Sequence, residues 1–228
     1  VILPFEKDFY KKHQVNAHFV GHPLLDAISD LAPIDAENFK KEYGLNDKEI
    51  IALLPGSREQ EVEKMLSLML SVRDHFKNYQ FVIAGAPSLP KDFYEKFVDD
   101  DVHFVSNKTY DLLRCSKAAL VTSGTATLET ALLNVPEIVC YRTSTISYEI
   151  GKRVVKNIKF ISLVNLIMDR EIVKELIQKE LNTENLVTEL QKILEGQKRD
   201  EMLKNYELLR EKLGGKGASE HAAEIIVN

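Results

Sequence analysis

From Glu49 onward, short unbroken apolar runs alternate with stretches in which apolar residues return every three or four positions. Ile50-Ile51-Ala52-Leu53-Leu54 has no polar interruption, the pattern of a strand covered on both faces. It ends at Pro55-Gly56-Ser57, and Val62, Met65, Leu66, Met69 and Leu70 then share one helical face, predicting a helix from about Arg58 to Phe76. The same reading predicts strands at Phe81–Gly85, Val102–Val105, Ala118–Val121 and Glu137–Tyr141. Helices near Asp92–Val98, Tyr110–Ser116 and Ala126–Leu133 separate them. A helix around Ser147–Lys156, a short extended piece at Phe160–Leu163 and several helices after Glu171 complete the expectation.

Apolar strands in strict alternation with helices predict an α/β fold: a Rossmann-like, doubly wound parallel sheet covered on both faces. Ligands of such sheets gather at the carboxyl ends of the strands. Three stretches are distinguished. Residues 1–46 read as a connector, with a helix near Phe5–Lys12, a strand at Ala17–Val20 and two helices after Gly21-His22-Pro23. Residues 47–182 form the Rossmann-like domain, and 183–228 a charged helical tail in which Gly214-Gly215-Lys216-Gly217 marks a hinge before a last helix, Ala218–Val227.

Charge changes the picture by exclusion. A net charge of −5 argues against general nucleic-acid binding, which needs a basic surplus. No apolar run approaches the ~18 residues of a membrane-spanning helix. Cys115 and Cys140 sit in apolar surroundings at no metal-ligand spacing, which fits reduced core thiols in a cytoplasmic protein. The opening Val1-Ile2-Leu3-Pro4-Phe5-Glu6 reads as the middle of a longer chain.

Three expected strand ends carry polar residues that a core would not need. At the first, Gly56-Ser57-Arg58 offers a glycine turn, a hydroxyl and a helix N-terminus, which favours anions, although it matches no nucleotide-loop motif. Arg58 in a first turn would oppose the helix dipole unless a phosphate lay between them; the alternative is a capping Ser57 with Arg58 in solvent. The second is Ala119-Leu120-Val121-Thr122-Ser123-Gly124-Thr125-Ala126-Thr127-Leu128-Glu129, and it admits three readings. It could be a serine nucleophile, although Gly-x-Ser-x-Gly is absent and the six histidines are scattered. It could be a helix cap, with Ser123 or Thr125 accepting from first-turn amides and Glu129 in the first turns. Or it could be a cradle in which the Ser123-Gly124-Thr125 turn faces a phosphate and Glu129 accepts from a vicinal diol.

The third strand end is Tyr141-Arg142, followed by a basic run in which Arg153 and Lys156 share a helix face. This run is either a solvated face or a contact for phosphate or an anionic membrane surface. Asn165 is expected on a loop beyond the extended piece. Asp99-Asp100-Asp101 matches a metal-binding triplet, but it precedes a strand and so belongs at the amino edge, away from ligands; no metal is expected there.

The sequence Leu-Pro-Phe-Glu-Lys at 3–7, Phe-Val-Gly-His-Pro at 19–23, Leu-Leu-Pro-Gly-Ser-Arg at 53–58 and Thr-Ser-Gly-Thr-Ala-Thr-Leu-Glu at 122–129 resembles lipid-A-disaccharide synthase. Tyr-Arg at 141–142, Arg-Val-Val-Lys at 153–156, Ser-Leu-Val-Asn-Leu at 162–166 and Arg-Glu-Ile-Val-Lys-Glu-Leu at 170–176 extend the resemblance. It implies the carboxy-terminal domain of a GT-B glycosyltransferase, whose amino-terminal domain would carry the general base and much of the acceptor site. The implied reaction joins UDP-2,3-diacylglucosamine to 2,3-diacylglucosamine 1-phosphate with inversion, releases UDP and needs no metal. It takes place on the cytoplasmic face of the Gram-negative inner membrane. The resemblance implies donor contacts from Gly56, Ser57, Arg58, Ser123, Gly124, Thr125, Glu129 and Asn165, with Arg58 stabilising the leaving group. Arg142, Arg153 and Lys156 are secondary candidates, and a homodimer stays open. Val164 replaces the family's usual proline, and one extra residue lies between Lys156 and Ser162. The last helix would cross to the amino-terminal domain. Another UDP-sugar glycosyltransferase or epimerase, or a nucleotide-binding module without chemistry, remains an alternative.

Overall fold

A computed structural model describes residues 1–143 and 159–227. Six parallel strands form one sheet: β1 (Glu49–Leu54), β2 (Tyr79–Gly85), β3 (Val102–Ser106), β4 (Ser116–Thr122), β5 (Glu137–Tyr141) and β6 (Lys174–Ile177). Their order is β3-β2-β1-β4-β5-β6. The chain runs outward from β1 to β3 and then returns to the other side of β1. The connections leaving β1 and β4 therefore diverge to opposite directions and open a crevice at their carboxyl ends.

Both faces of the sheet are covered, and β1 shows how the sequence divides them. Ile51 and Leu53 join one core with Val62, Met65 and Leu66 of α4 (Glu59–Leu70). Ile50, Ala52 and Leu54 join another with Phe39 of α3 (Ala36–Glu42) and Leu112 of α6 (Thr109–Arg114). Alternate residues of a strand face opposite ways, so an unbroken apolar run is what a doubly covered strand requires.

The first residues include α1 (Pro4–Lys12), which buries nothing, and α2 (Pro23–Ser29), whose Leu25 enters the main core. Residues 17–20 form no strand; their backbone is tied to the first residue, with Val20 N–H donating to the Val1 carbonyl at 3.1 Å and the Val1 amino group to His18 O at 2.7 Å. The first predicted long helix stops at Leu70 and gives way to a single 3₁₀ turn at Arg73–His75. Ser71 donates its hydroxyl to Leu68 O at 2.7 Å, a local bond that competes with helix continuation. α5 (Lys91–Glu95) is shorter than expected, while α7 (Thr125–Leu132) and β5 lie close to their predicted positions.

Beyond β5 the expectation needs correction. Phe160–Leu163 is not extended into a strand; Ser162 caps α8 (Leu163–Met168), accepting from Asn165 N–H at 3.3 Å. The sixth strand, β6, falls where only helices are expected. It is an edge strand carrying Lys174 and Glu175, and its pairing with β5 outweighs a charged local sequence. The helix expected at 147–156 lies outside the described residues.

α9 (Thr183–Leu194) buries Leu186, Leu190, Ile193 and Leu194 in the main core, and α10 (Gln197–Lys212) adds Met202, Tyr206 and Leu209. The last helix, α11 (Ala218–Val227), begins against α2, where Asp26 accepts from Gly217 N–H at 2.6 Å and Ser219 N–H at 3.1 Å. Those two backbone donors hold the Asp26 carboxyl below its ordinary value. Ile225, Ile226 and Val227 at the far end are exposed.

Candidate functional site

The crevice between β1 and β4 is a cleft of about 460 Å³. Gly56, Ser57 and Arg58 border it from the β1 turn, and Thr122, Ser123, Gly124, Thr125 and Glu129 from the β4 turn and α7. Ala86 and Pro87 after β2, and Thr109 at the start of α6, close its other side.

Two helices begin at this cleft without a side-chain cap. Gly124 is the N-cap of α7, with φ 156° and ψ −164°, a conformation L side chains rarely adopt. Nothing lies within 4 Å of where its Cβ would stand, so backbone shape and not space requires glycine. Thr127 N–H turns back to Gly124 O at 3.2 Å, and the Thr125 and Ala126 amides at the helix start are without a side-chain cap. This corrects the cap reading: neither Ser123 nor Thr125 caps the helix, and Glu129 stands beyond its first turn.

Arg58 is likewise the N-cap of α4 and has extended backbone, so it precedes the first turn in which the sequence reading set it. Glu59 and Glu61 occupy that turn, as the dipole favours. The Arg58 side chain is 81% exposed and pairs with Glu61 at 3.1 Å. An exposed pair of this kind is worth about 1 kcal/mol or less, so the guanidinium is cheaply released to a stronger anion.

The hydroxyls around Gly124 divide into two groups. Ser123 donates to Ile161 O at 3.0 Å, and its N–H bonds Cys140 O at 3.2 Å. Thr127 donates to Gly124 O at 2.8 Å. Both protons are committed to backbone carbonyls. No histidine borders the cleft among the described residues, so the nucleophile reading fails and Ser123 is no hydroxyl donor to a phosphate. Thr125 is exposed on the cleft. Thr122 Oγ1 is buried at the cleft wall without a hydrogen-bond partner among the described residues.

Glu129 is half-buried, and Tyr110 of α6 donates to its Oε1 at 2.7 Å. Burial, and then this bond, push the Tyr110 phenol well above its ordinary value. It therefore stays a proton donor throughout the physiological range. The β2 side of the cleft is braced from behind. Tyr94 stacks on Phe104 with ring centroids 4.6 Å apart, and Ala86 N–H donates to the Tyr94 hydroxyl at 3.0 Å. A Cβ on Gly85 would come within 2.2 Å of the Phe104 ring, so the last residue of β2 has no room for one. Ser88 Oγ donates to Ser57 O at 2.9 Å and ties the β2 loop to the β1 turn.

Asn165 is a correction. It lies in α8, fully buried, and does not reach the cleft. Its Oδ1 accepts from Ile172 N–H at 2.7 Å and Val173 N–H at 3.0 Å; its Nδ2 donates to Val173 O and to Glu175 Oε1, each at 2.9 Å. Glu175 also accepts from the Ile161 and Ser162 amides and the Ser162 hydroxyl, so its buried carboxylate is satisfied on both oxygens. Because Ser123 grips the Ile161 carbonyl, this buried cluster supports the cleft turn from behind and does not line the cleft. Val164 is buried at the second position of α8, in the first turn of a helix, where proline is tolerated.

Arg142 is exposed directly after β5, on the same edge of the sheet. Arg153 and Lys156 lie outside the described residues. Asp99, Asp100 and Asp101 border a hollow at the opposite, amino edge, where Asp99 is paired with Arg73 and Asp101 with Lys48 at 3.2 Å. Among the described residues no group of three or more His, Cys, Asp or Glu is arranged to hold a metal ion. No helix there is long and apolar enough to cross a membrane. Thr109 on the cleft and Tyr110, which reaches the cleft through its bond to Glu129, were missed by sequence reasoning. Their one available signal was position at a strand's carboxyl end, which the predicted elements already contained.

The family model described as lipid-A-disaccharide synthetase matches residues 1–227. Lipid-A-disaccharide synthase of Syntrophus aciditrophicus is 39% identical over 98% of this chain and 60% of that protein. The Myxococcus xanthus protein of the same name is 35% identical over 99% of this chain and 61% of that protein. The chain thus spans about three-fifths of the length of these relatives. Among solved structures, UDP-GlcNAc 2-epimerase from Neisseria meningitidis bound to UDP-GlcNAc aligns with a TM-score of 0.68 at 16% identity, over 100% of this chain and 60% of that one. Another UDP-N-acetylglucosamine 2-epimerase gives 0.60 at 18%, over 99% and 56%. At such identities the likeness is one of fold.

Proposed function

The chain belongs to the lipid-A-disaccharide synthetase family, and on that premise we propose that it forms the donor-nucleotide part of an inverting glycosyltransferase. The donor is UDP-2,3-diacylglucosamine and the acceptor 2,3-diacylglucosamine 1-phosphate. The acceptor hydroxyl attacks the anomeric carbon, the bond from that carbon to the diphosphate breaks, and UDP departs. The observation that carries the reading is the convergence of two uncapped helix N-termini, Arg58 and the Glu129 carboxylate on one cleft at the sheet's switch point.

Breaking the sugar–phosphate bond builds negative charge on the diphosphate, and fixed dipoles and cations aimed there lower the barrier. In this reading the Gly56, Ser57, Gly124 and Thr125 backbone amides receive the diphosphate, and Arg58 exchanges Glu61 for it. The Thr125 hydroxyl and the unpartnered Thr122 Oγ1 are further polar groups on that wall. Glu129 accepts from the two ribose hydroxyls. Charge neutralisation comes from these groups and calls for no metal ion. Arg142, with Arg153 and Lys156, supplies positive charge toward the diphosphate or an anionic membrane surface on the cytoplasmic side. In this reading the general base and much of the acceptor site belong to a part of the relatives that this chain does not match.

Calorimetric titration with UDP tests the cradle. Binding that ignored both Glu129→Ala and Arg58→Ala would sink it. For the reaction, UDP release should require the lipid monosaccharide phosphate; release indifferent to that acceptor would favour a different UDP-sugar chemistry.

A further inference from the structure

Glu129 does not stand alone at the cleft. Tyr110 comes from the helix after β3, Glu129 from the helix after β4, and strands β2 and β1 lie between those two in the sheet. Their side chains nevertheless meet at 2.7 Å. A carboxylate has about four lone-pair sites, so one phenolic donor on Oε1 leaves acceptor capacity for more partners. A cation in the phenol's place would draw both oxygens into a bidentate pair and compete with any ligand hydroxyl. A neutral donor fixes the carboxylate without neutralising it.

We propose that Tyr110 is a positioning residue of the nucleotide site, its hydroxyl holding one oxygen of Glu129 so that the remaining lone pairs receive the ribose diol of a nucleoside diphosphate. The inference rests on the reading of Glu129 given above and adds the residue that orients it. Burial keeps the phenol protonated, so the device holds across the physiological range. The energetic reason is preorganisation. A carboxylate already locked in one orientation loses less freedom when the diol binds, and its contribution to affinity is correspondingly larger.

The test compares UDP with 2′,3′-dideoxyUDP, which lacks the diol, by titration of the full chain and its Tyr110→Phe and Glu129→Gln variants. The wild type should prefer UDP by about tenfold, one hydrogen-bonded pair's worth. Glu129→Gln should abolish most of that preference, and Tyr110→Phe should reduce it at least about threefold while leaving dideoxyUDP affinity unchanged. A brace that merely joined two helices would lower both affinities together. Preference lost in Glu129→Gln but intact in Tyr110→Phe overturns the Tyr110 role alone. Absence of preference in the wild type overturns the ribose reading and this inference with it. A measurement needing no variant guards against a misfolded one: the Tyr110 ring carbon resonances should shift on adding UDP and stay in place with dideoxyUDP. Equal shifts with both would overturn the proposal.

Discussion

Ser123 gives its hydroxyl proton to the carbonyl of Ile161, 3.0 Å away. This bond decides what the Ser-Gly turn is for. The side chain that looks most reactive in the sequence ties the cleft turn to the segment entering α8, and Gly124 and Thr125 beside it border the cleft.

Ser123→Ala should therefore lower stability by about 1 kcal/mol, the net worth of one hydrogen bond, with UDP affinity changed less than about threefold. Thermal melts and titration together check this. Loss of all binding with an intact melt would return Ser123 to the ligand.

Glu129→Ala and Arg58→Ala should each weaken UDP binding about tenfold, since each removes a charged hydrogen-bonding group worth roughly 1.4 kcal/mol or more. Their salt dependence should differ. The Arg58 effect should shrink as ionic strength rises, because that guanidinium is 81% exposed and screened.

Asn165→Ala should cost about 2 to 4 kcal/mol of stability, because it strands two buried amides and the Val173 carbonyl and takes one donor from a buried carboxylate. UDP affinity per folded molecule should be unaffected. Denaturant unfolding measures the first, and titration well below the melting transition measures the second.

Glu137 opens β5 at the amino edge, fully buried, with both carboxylate oxygens lacking a partner among the described residues. Burial pushes its carboxyl well above the ordinary value. The unfolded chain releases this proton near pH 4.5 and the folded chain keeps it to a higher pH, so over that interval the folded state binds more protons. The contribution of Glu137 to stability is thus greatest below the unfolded value and falls as pH rises, by up to about 1.4 kcal/mol per unit. Glu137→Gln should flatten that loss, so that its melting temperature gains on the wild type as pH climbs from about 5 to about 8. His22 and His103, both pushed down by burial, titrate identically in the two proteins and drop out of the comparison. Parallel melting curves across that range would show that Glu137 is already ionised in the folded state.

Much of the scaffold was legible because doubly covered strands leave an unmistakable mark. Ile50–Leu54 and Glu137–Tyr141 are apolar or β-branched nearly throughout, and the turns after them carry glycine or a cation. β6 was illegible because an edge strand with Lys174 and Glu175 has the local character of a charged helix. Its pairing energy comes from β5, more than thirty residues earlier by the register of Ile138 with Lys174. Asn165 misled for a related reason. An amide near a strand end has the composition of a ligand contact, but its four hydrogen bonds are all with the adjacent backbone and Glu175.

The order of apolar runs, and the glycine and hydroxyl chemistry at their ends, determined by themselves that this is a parallel α/β sheet with polar turns at β1 and β4. Periodicity is a local property, and burial on two faces writes it directly into neighbouring residues. Only the tertiary structure decided which polar groups are committed inside the protein and which face the cleft. It assigned the Ser123 proton to Ile161, withdrew Asn165 into the core and brought Tyr110 to Glu129. Hydrogen-bond partners are chosen by distance in space, and residues 19 or 38 positions apart meet only when the sheet and its crossovers bring them together.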